Sequence, residues 1–296
     1  MKNFAVIGSP IKHSLSPFIH QSFAKQCQIN LDYKTIAAAS VEAFLCEVKD
    51  FFSQASAVGM NVTVPFKAEA FRLIMAESKH VDNNFADNKP VDNKSTLHLG
   101  QSVNTLWLAA NQQGHKHLVG TSTDGCGLVK DLTQNLKIDL AGKSILLLGA
   151  GGAASGVLAD LILANPASIH ITNRTYDTAR QLVERFANVQ ADIRLSSLSI
   201  EVLQEPVYDL IINATSISLH HQKIPFPPSI VQDAVVYDMA YDHTQPTCFN
   251  QWAKKHQAAQ VFDGIGMLVE QAAESFRIWH GVHPDTHSVL NEMNKL

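Results

Sequence analysis

The sequence predicts an α/β protein of two domains, one of them a doubly wound parallel sheet and the other a set of alternating strands and helices. Three observations carry this. Ser144-Ile-Leu-Leu-Leu148 is an apolar run that ends in Gly149-Ala-Gly-Gly-Ala153, and a helical pattern follows at once. From Asp124 onward, short near-continuous apolar runs alternate with helical spacing, as strands of a parallel sheet covered on both faces do. The chain has 296 residues, 46% of them hydrophobic and 17% charged, which suffices for two cores.

The elements follow in order. Phe4 to Ile7 reads as a strand broken by Gly8-Ser-Pro10, and Phe18 to Cys27 as a helix. Ser16 suits its N-cap and Pro17 its first position. Asp32 to Ala37 is a strand, Val41 to Phe52 a helix and Gly59 to Val64 a strand. A helix opens at Pro65-Phe-Lys67 and runs to about Met75. Val103 to Trp107 and His117 to Gly120 read as a strand pair joined by a turn at Asn111 to Gly114. The segment from Glu77 to Gly100 lacks periodic apolar residues and reads as a polar loop or insertion. The parallel strands are expected at Ser144 to Leu148, Ser168 to Thr172, Tyr208 to Asn213, Ala234 to Met239 and Gln260 to Phe262. An apolar-rich helix from about Met267 to Trp279 follows Asp263-Gly-Ile-Gly266 and is expected to pack back on the first domain.

A formal net charge of −4 argues against nucleic acid or an anionic membrane as partner. The start reads as a strand rather than a signal peptide, and no run approaches the ~18 apolar residues of a bilayer span. Cys27, Cys46, Cys126 and Cys248 are scattered, with no C-x-x-C pair, so free thiols in a reducing cytoplasm are expected and no metal site. A small-molecule substrate, and a monomer or homodimer, fit these bounds.

The glycine-rich turn is the fingerprint of a dinucleotide-binding unit of Rossmann type. Gly149 permits the tight turn, Gly151 lets backbone approach a pyrophosphate, and Ala154 permits close packing of helix on strand. Phosphates are expected at the positive N-terminus of the helix that starts near Ala153. The second strand ends Thr172-Asn173-Arg174-Thr175, without the acidic residue that binds a ribose 2′-hydroxyl. A guanidinium there suits a 2′-phosphate, which makes NADP the expected cofactor; a solvated loop arginine is the alternative from position alone.

Polar residues also mark otherwise apolar strand ends, at Ser14-Leu-Ser16, Asn61-Val-Thr63-Val-Pro-Phe-Lys67 and Thr123-Asp124-Gly125. With Val103-Asn104-Thr105, Asn173-Arg174-Thr175, Asn213-Ala-Thr-Ser216 and Asp263-Gly-Ile-Gly-Met-Leu-Val-Glu-Gln271, they resemble the shikimate dehydrogenase family in order over nearly the whole chain. The resemblance implies NADPH-dependent, reversible reduction of 3-dehydroshikimate to shikimate, a step toward aromatic amino acids. It implies Lys67 as catalytic acid/base with Asp124 as its partner. Ser14, Ser16, Asn61, Thr63, Asn104, Tyr241 and Gln271, with Lys67 and Asp124, would hold substrate. Gly149, Ala150, Gly151, Gly152, Ala153, Asn173, Arg174, Thr175 and Thr178 would bind the cofactor, with Met239 and Gly264 at its nicotinamide end. The implied domains are 1–123 plus 264–296 for substrate and 124–263 for NADP, with a cleft between them.

Read one by one, these residues have plainer roles. Lys67 at a helix start fits a solvated lysine, Ser16 an N-cap, and Asp124 before glycine a helix cap. Thr63 fits strand propensity, and Asn104 and Asn213 fit strand-end backbone partners. The chain departs from the family pattern at Thr178, where a second basic residue is usual, with Arg180 facing elsewhere on its helix. It departs again at Ile217-Ser-Leu-His220-His221, where glycines are usual, and the 77–100 segment is longer than usual. Two alternatives stand beside the main reading: a quinate/shikimate dehydrogenase using NAD, and a catalytically inactive small-molecule sensor on the same fold.

Overall fold

The computed structural model describes residues 1–78, 93–110, 114–190, 192–203, 207–220, 222–242 and 244–293. In chain order the elements are β1 (Lys2–Gly8), α1 (Ser16–Gln26), β2 (Leu31–Ala37), α2 (Val41–Ser53), β3 (Ala57–Val62), α3 (Lys67–Ser78), α4 (Asn93–Gly100), β4 (Thr105–Ala110) and β5 (Lys116–Thr121). Then come α5 (Asp124–Lys130), β6 (Ser144–Leu148), α6 (Gly152–Leu163), β7 (Ser168–Thr172), α7 (Tyr176–Phe186), β8 (Arg194–Leu198), β9 (Leu210–Asn213), β10 (Val235–Asp238), α8 (Cys248–Lys255), β11 (Gln260–Phe262), α9 (Ile265–His280) and α10 (Thr286–Met293). Their contacts divide the chain into two compact units, 1–124 with 269–295 and 125–268.

The first unit is built on a five-stranded sheet ordered β2-β1-β3-β4-β5. The first three strands are parallel, and β4 and β5 form an antiparallel pair on one flank. Side chains alternate between two cores because successive residues of a strand face opposite sides. Ala5 and Ile7 of β1, with Met60 and Val62 of β3, join Phe44, Phe51 and Phe66 on one face. Phe4 and Val6 join Tyr33 and Trp279 on the other. The same alternation puts Gly59 and Asn61 on the face that α9 covers. A Cβ on Gly59 would lie 2.3 Å from the Trp279 ring, so only glycine admits that indole.

The second unit holds a six-stranded, wholly parallel sheet ordered β11-β10-β9-β6-β7-β8. Ile145, Leu146, Leu147 and Leu148 are fully buried, as a central strand covered on both faces requires. The strand order reverses between β6 and β9, where Leu148 pairs Asn213. Ligands of such sheets bind at this switch point, beyond the carboxyl ends of the strands. Gly149 sits there with φ +104°, and a Cβ on it would lie 3.1 Å from the Ala214 carbonyl. Both the backbone angle and the close approach require glycine.

Several boundaries differ from the sequence reading. Ser16 is not the N-cap of α1: it is the first helical residue, Leu15 caps without a side-chain bond, and the Ser16 N–H donates to Ser14 Oγ (3.3 Å). Thr63 lies just past β3 rather than within it. Part of the expected polar loop is helical, since α3 continues to Ser78 and α4 covers Asn93–Gly100; residues 79–92 lie outside the described residues, as do 111–113 of the expected turn and His221. The strand β8, the helix α10 and the π-helical turn Asp131–Asn135 after α5 carry no sequence signal that the reading used.

Candidate active site and dinucleotide site

In the first unit, Lys67 opens α3 and Asp124 opens α5. Lys67 Nζ donates to Asp124 Oδ2 at 2.7 Å, with the lysine side chain 19% exposed and the carboxylate 4%. Lys67 is therefore neither a solvated surface lysine nor a lone buried cation. Its backbone carbonyl accepts from Val103 N–H (3.0 Å), which ties the start of α3 to the lead into β4. Asn104, next in the chain, donates from Nδ2 to Asp124 Oδ1 (2.9 Å), Thr123 Oγ1 (2.9 Å) and Gln271 Oε1 (3.1 Å). Asn61 donates to the Asn104 carbonyl (3.1 Å), to Thr105 Oγ1 (3.3 Å) and to Ser275 Oγ (3.0 Å).

The structure thus gathers five residues singled out in the sequence, Asn61, Lys67, Asn104, Asp124 and Gln271, into one hydrogen-bonded cluster. Ser14 and Ser16 form a second small group, their hydroxyls 3.2 Å apart. The half-buried Thr63 donates its N–H to the Ile7 carbonyl (2.9 Å) and leaves its side chain past the strand end. Tyr33, Thr105 and Ser275 belong to the cluster and escaped sequence reasoning. A signal existed for Ser275: it lies four residues after Gln271 on α9, hence on the same helix face. Tyr33 is fully buried, and its hydroxyl donates to Asn61 Oδ1 at 2.7 Å. Burial pushes its phenol well above the usual range, with Ser16 opposing.

In the second unit, Gly149 and Ala150 are buried at the end of β6, whereas Gly151 and Gly152 are exposed with open space where a Cβ would stand. Gly151 caps α6 in an extended conformation with no side chain to occupy the helix N-terminus, and half-buried Ala153 follows in the first turn. That leaves free N–H groups at the positive end of α6, the donor set a pyrophosphate needs. At the end of β7, Asn173 Nδ2 donates to the Thr175 carbonyl (3.1 Å), and Arg174, Thr175 and Thr178 are exposed. Arg180 is held by Asp177 (3.5 Å) and Glu184 (2.6 Å), so its charge is directed along its own helix. The residues present therefore fit a dinucleotide with an anionic group at the ribose, with Arg174 as the exposed cation of the strand end.

Asp238, at the end of β10, organises the neighbouring loops and was not foreseen. Its carboxylate accepts from Asn213 Nδ2 (2.9 Å), Ser218 Oγ (2.5 Å), Thr247 Oγ1 (2.6 Å) and the Ala240 N–H (3.1 Å). Burial pushes its carboxyl up, and these donors oppose that shift. Met239 follows directly, and its carbonyl lies 2.3 Å from where a Gly264 Cβ would be. Half-buried Tyr241, its phenol pushed up by burial, lines a cavity of about 300 Å³ with Ser218, Thr247 and Cys248. Asn213 Oδ1 also accepts from the Thr215 N–H (3.1 Å), the strand-end role its position suggests. All four cysteines are free, and among the described residues no group of His, Cys, Asp and Glu is placed to hold a metal ion. No helix among them is long and apolar enough to cross a membrane.

Comparison with known proteins gives the family. The family model for the shikimate dehydrogenase substrate binding domain matches residues 6–86, that for shikimate / quinate 5-dehydrogenase matches 131–224, and that for the shikimate 5'-dehydrogenase C-terminal domain matches 264–293. A shikimate dehydrogenase (NADP(+)) from Marinobacter nauticus is 41% identical over 98% of this chain and 97% of its own. The crystal structure of an Ael1 enzyme from Pseudomonas putida is similar with a TM-score of 0.82 and 35% identity, covering 99% of this chain and 98% of that one. That of shikimate 5-dehydrogenase from Thermus thermophilus in complex with NADP(H) and shikimate has a TM-score of 0.76 and 28% identity, covering 100% and 99%. With full-length relatives at this identity and a cluster of Lys67, Asp124, Asn61, Asn104 and Gln271 in place, the chain belongs to the shikimate dehydrogenase family.

Proposed function

We propose that this protein catalyses the reversible NADPH-dependent reduction of 3-dehydroshikimate to shikimate. The observation that carries the reading is the 2.7 Å Lys67–Asp124 pair, set among amide and hydroxyl side chains. Reducing a ketone builds negative charge on its oxygen, which must receive a proton. The Lys67 ammonium stabilises that charge and donates from Nζ; in the reverse direction the neutral amine takes the proton back. Asp124 keeps the ammonium in place. NADPH, when bound, supplies the hydride.

Shikimate carries three hydroxyls and a carboxylate. Asn61, Thr63, Asn104, Tyr241 and Gln271 suit the hydroxyls, and the Ser14–Ser16 pair suits the carboxylate. Leaving such groups unpaired penalises substrates that lack a hydroxyl. In this reading unit 1–124 with 269–295 is the substrate domain and unit 125–268 the NADP domain. Gly149 to Ala153 hold the pyrophosphate, and Asn173, Arg174, Thr175 and Thr178 the adenosine ribose and its phosphate. Met239 and Gly264 line the nicotinamide end. A cytoplasmic monomer or homodimer completes the assignment.

The test is an absorbance assay of NADP reduction with shikimate. The wild type should turn over, and Lys67→Ala should lower kcat by about 10²–10⁴-fold, the usual contribution of a general acid, with substrate affinity little changed. Near-normal turnover of Lys67→Ala removes this residue from the reaction. A preference for NAD and quinate overturns the cofactor and substrate assignment.

A further inference from the structure

The cluster around Lys67 and Asp124 has a definite hydrogen-bond direction, fixed by groups that can only donate or only accept. Asn104 Oδ1 accepts from the backbone N–H of Thr123 (2.9 Å), which sets its amide orientation. Asn61 Nδ2 donates to the backbone carbonyl of Asn104, which sets the second amide. It follows that Tyr33 is the donor to Asn61 Oδ1. Thr105 Oγ1 lies 2.9 Å from Asn104 Oδ1, an acceptor, so the single Thr105 proton goes there. The 2.7 Å contact between Thr105 and Ser275 then needs the Ser275 proton, in preference to the longer 3.1 Å contact of Ser275 with the Gln271 carbonyl. Ser275 in turn accepts from Asn61 Nδ2 at 3.0 Å.

The bonds run one way: Tyr33 to Asn61, to Ser275, to Thr105, to Asn104, to Asp124 Oδ1, with Lys67 on Asp124 Oδ2. Bonds aligned in this manner polarise one another. Asn61, Thr105, Thr123 and Ser275 are all buried, and Tyr33 is clamped by the His20 ring stacked on it at 4.3 Å and 10°.

We propose that Tyr33, Thr105 and Ser275 are positioning residues that orient Asp124 on Lys67 through this chain. The inference rests on the reading of Lys67–Asp124 as the acid/base pair. Removing the Thr105 hydroxyl takes one of the donors from Asn104 Oδ1, leaving the Thr123 N–H on it, and so loosens the amide that holds Asp124 Oδ1. The carboxylate then attracts the Lys67 ammonium more strongly, and the lysine holds its proton to higher pH.

The experiment is the pH dependence of kcat and kcat/KM for shikimate in Thr105→Val, Thr105→Ser and Tyr33→Phe. Thr105→Val should lower kcat roughly tenfold, within the about 10²-fold that a 1 Å misplacement can cost. It should also move the lysine inflection upward, with KM for NADP unchanged. Thr105→Ser, which keeps the hydroxyl, should restore both, and Tyr33→Phe should shift the inflection in the same direction. If Thr105→Val does not fold, Ser275→Ala and Tyr33→Phe carry the same measurement from α9 and β2. Variants with a wild-type inflection and a wild-type kcat overturn the proposal. Lys67→Ala, assayed alongside, separates the two failures. Its inactivity with unmoved inflections in the others rejects only the chain, whereas its activity rejects the acid/base reading beneath it.

Discussion

His20 is fully buried, and neither of its ring nitrogens has a hydrogen-bond partner. Burial first, and His280 second, push its pKa down to about 3. Burial and Lys2 lower that of His280 to about 4. An unfolded chain binds these protons near pH 6.5, so it takes up more protons than the native state below that pH. The stability that the neutral rings contribute is complete above pH 6.5 and is lost as pH falls toward 4 and 3. Fully buried His20 adds a slope of up to about 1.4 kcal/mol per pH unit in that window, and half-buried His280 adds less because solvent screens it. Urea midpoints measured from pH 7 to pH 4.5 should fall, and less steeply in His20→Phe; equal slopes in both proteins would reject His20 as a source. The ring has a use that compensates its burial, since it is the stacking partner of Tyr33.

At the scale of elements, legibility followed periodicity. The central strands β6 and β9 were readable because a parallel strand covered on both faces is apolar almost throughout, whereas β7 carries only Ile169 and Ile171 as apolar residues and half-buried His170 between them. β8 was not, because Arg194-Leu-Ser-Ser-Leu198 is an edge strand with only partial burial, and its pairing with β7 is a tertiary event. The helix α4 hid in a polar segment of weak amphipathicity. Ser40 accepts from Ala43 N–H at 3.2 Å, whereas Ser16 is displaced by one position because Ser14 takes its N–H. Thr247 joins two elements: it caps α8 through Asn250 N–H (3.2 Å) and donates to Asp238 on β10 (2.6 Å). Thr247→Val should therefore lose a cap and leave the buried carboxylate short of a donor. The two effects together should cost about 1–3 kcal/mol in thermal unfolding. A change below 0.5 kcal/mol would show that Asp238 is satisfied without it.

Over the whole molecule, the two-unit α/β organisation and the glycine loop were legible from order and spacing, but the cluster around Lys67 was legible only in part. Its members are scattered from Tyr33 to Ser275, and only Gln271 and Ser275 share a readable spacing. Hydroxyl groups such as Thr105 look like ordinary strand residues until the fold brings a partner within 2.7 Å. Cofactor recognition belongs to this scale as well, because a ligand that binds only the native state stabilises all that unfolds with it. NADPH at a hundred times its Kd should add about 2.7 kcal/mol. Arg174→Ala should weaken NADPH by about 10–100-fold while leaving NADH unchanged, since a charge-assisted bond to phosphate is worth about 1.5–3 kcal/mol. Isothermal titration with both nucleotides checks it, and an equal loss for both would assign Arg174 to general anchoring.

The division of the chain has a temporal consequence. Residues 125–268 are contiguous, so a ribosome delivers that unit whole. The other unit needs residues 269–295 against a sheet completed by residue 121, and must wait for its last pieces until its neighbour has been made. Until Gln271 and Ser275 emerge, Asn61 and Asn104 have none of their α9 partners. Assembly of the Lys67 site is thereby deferred until α9 has been made.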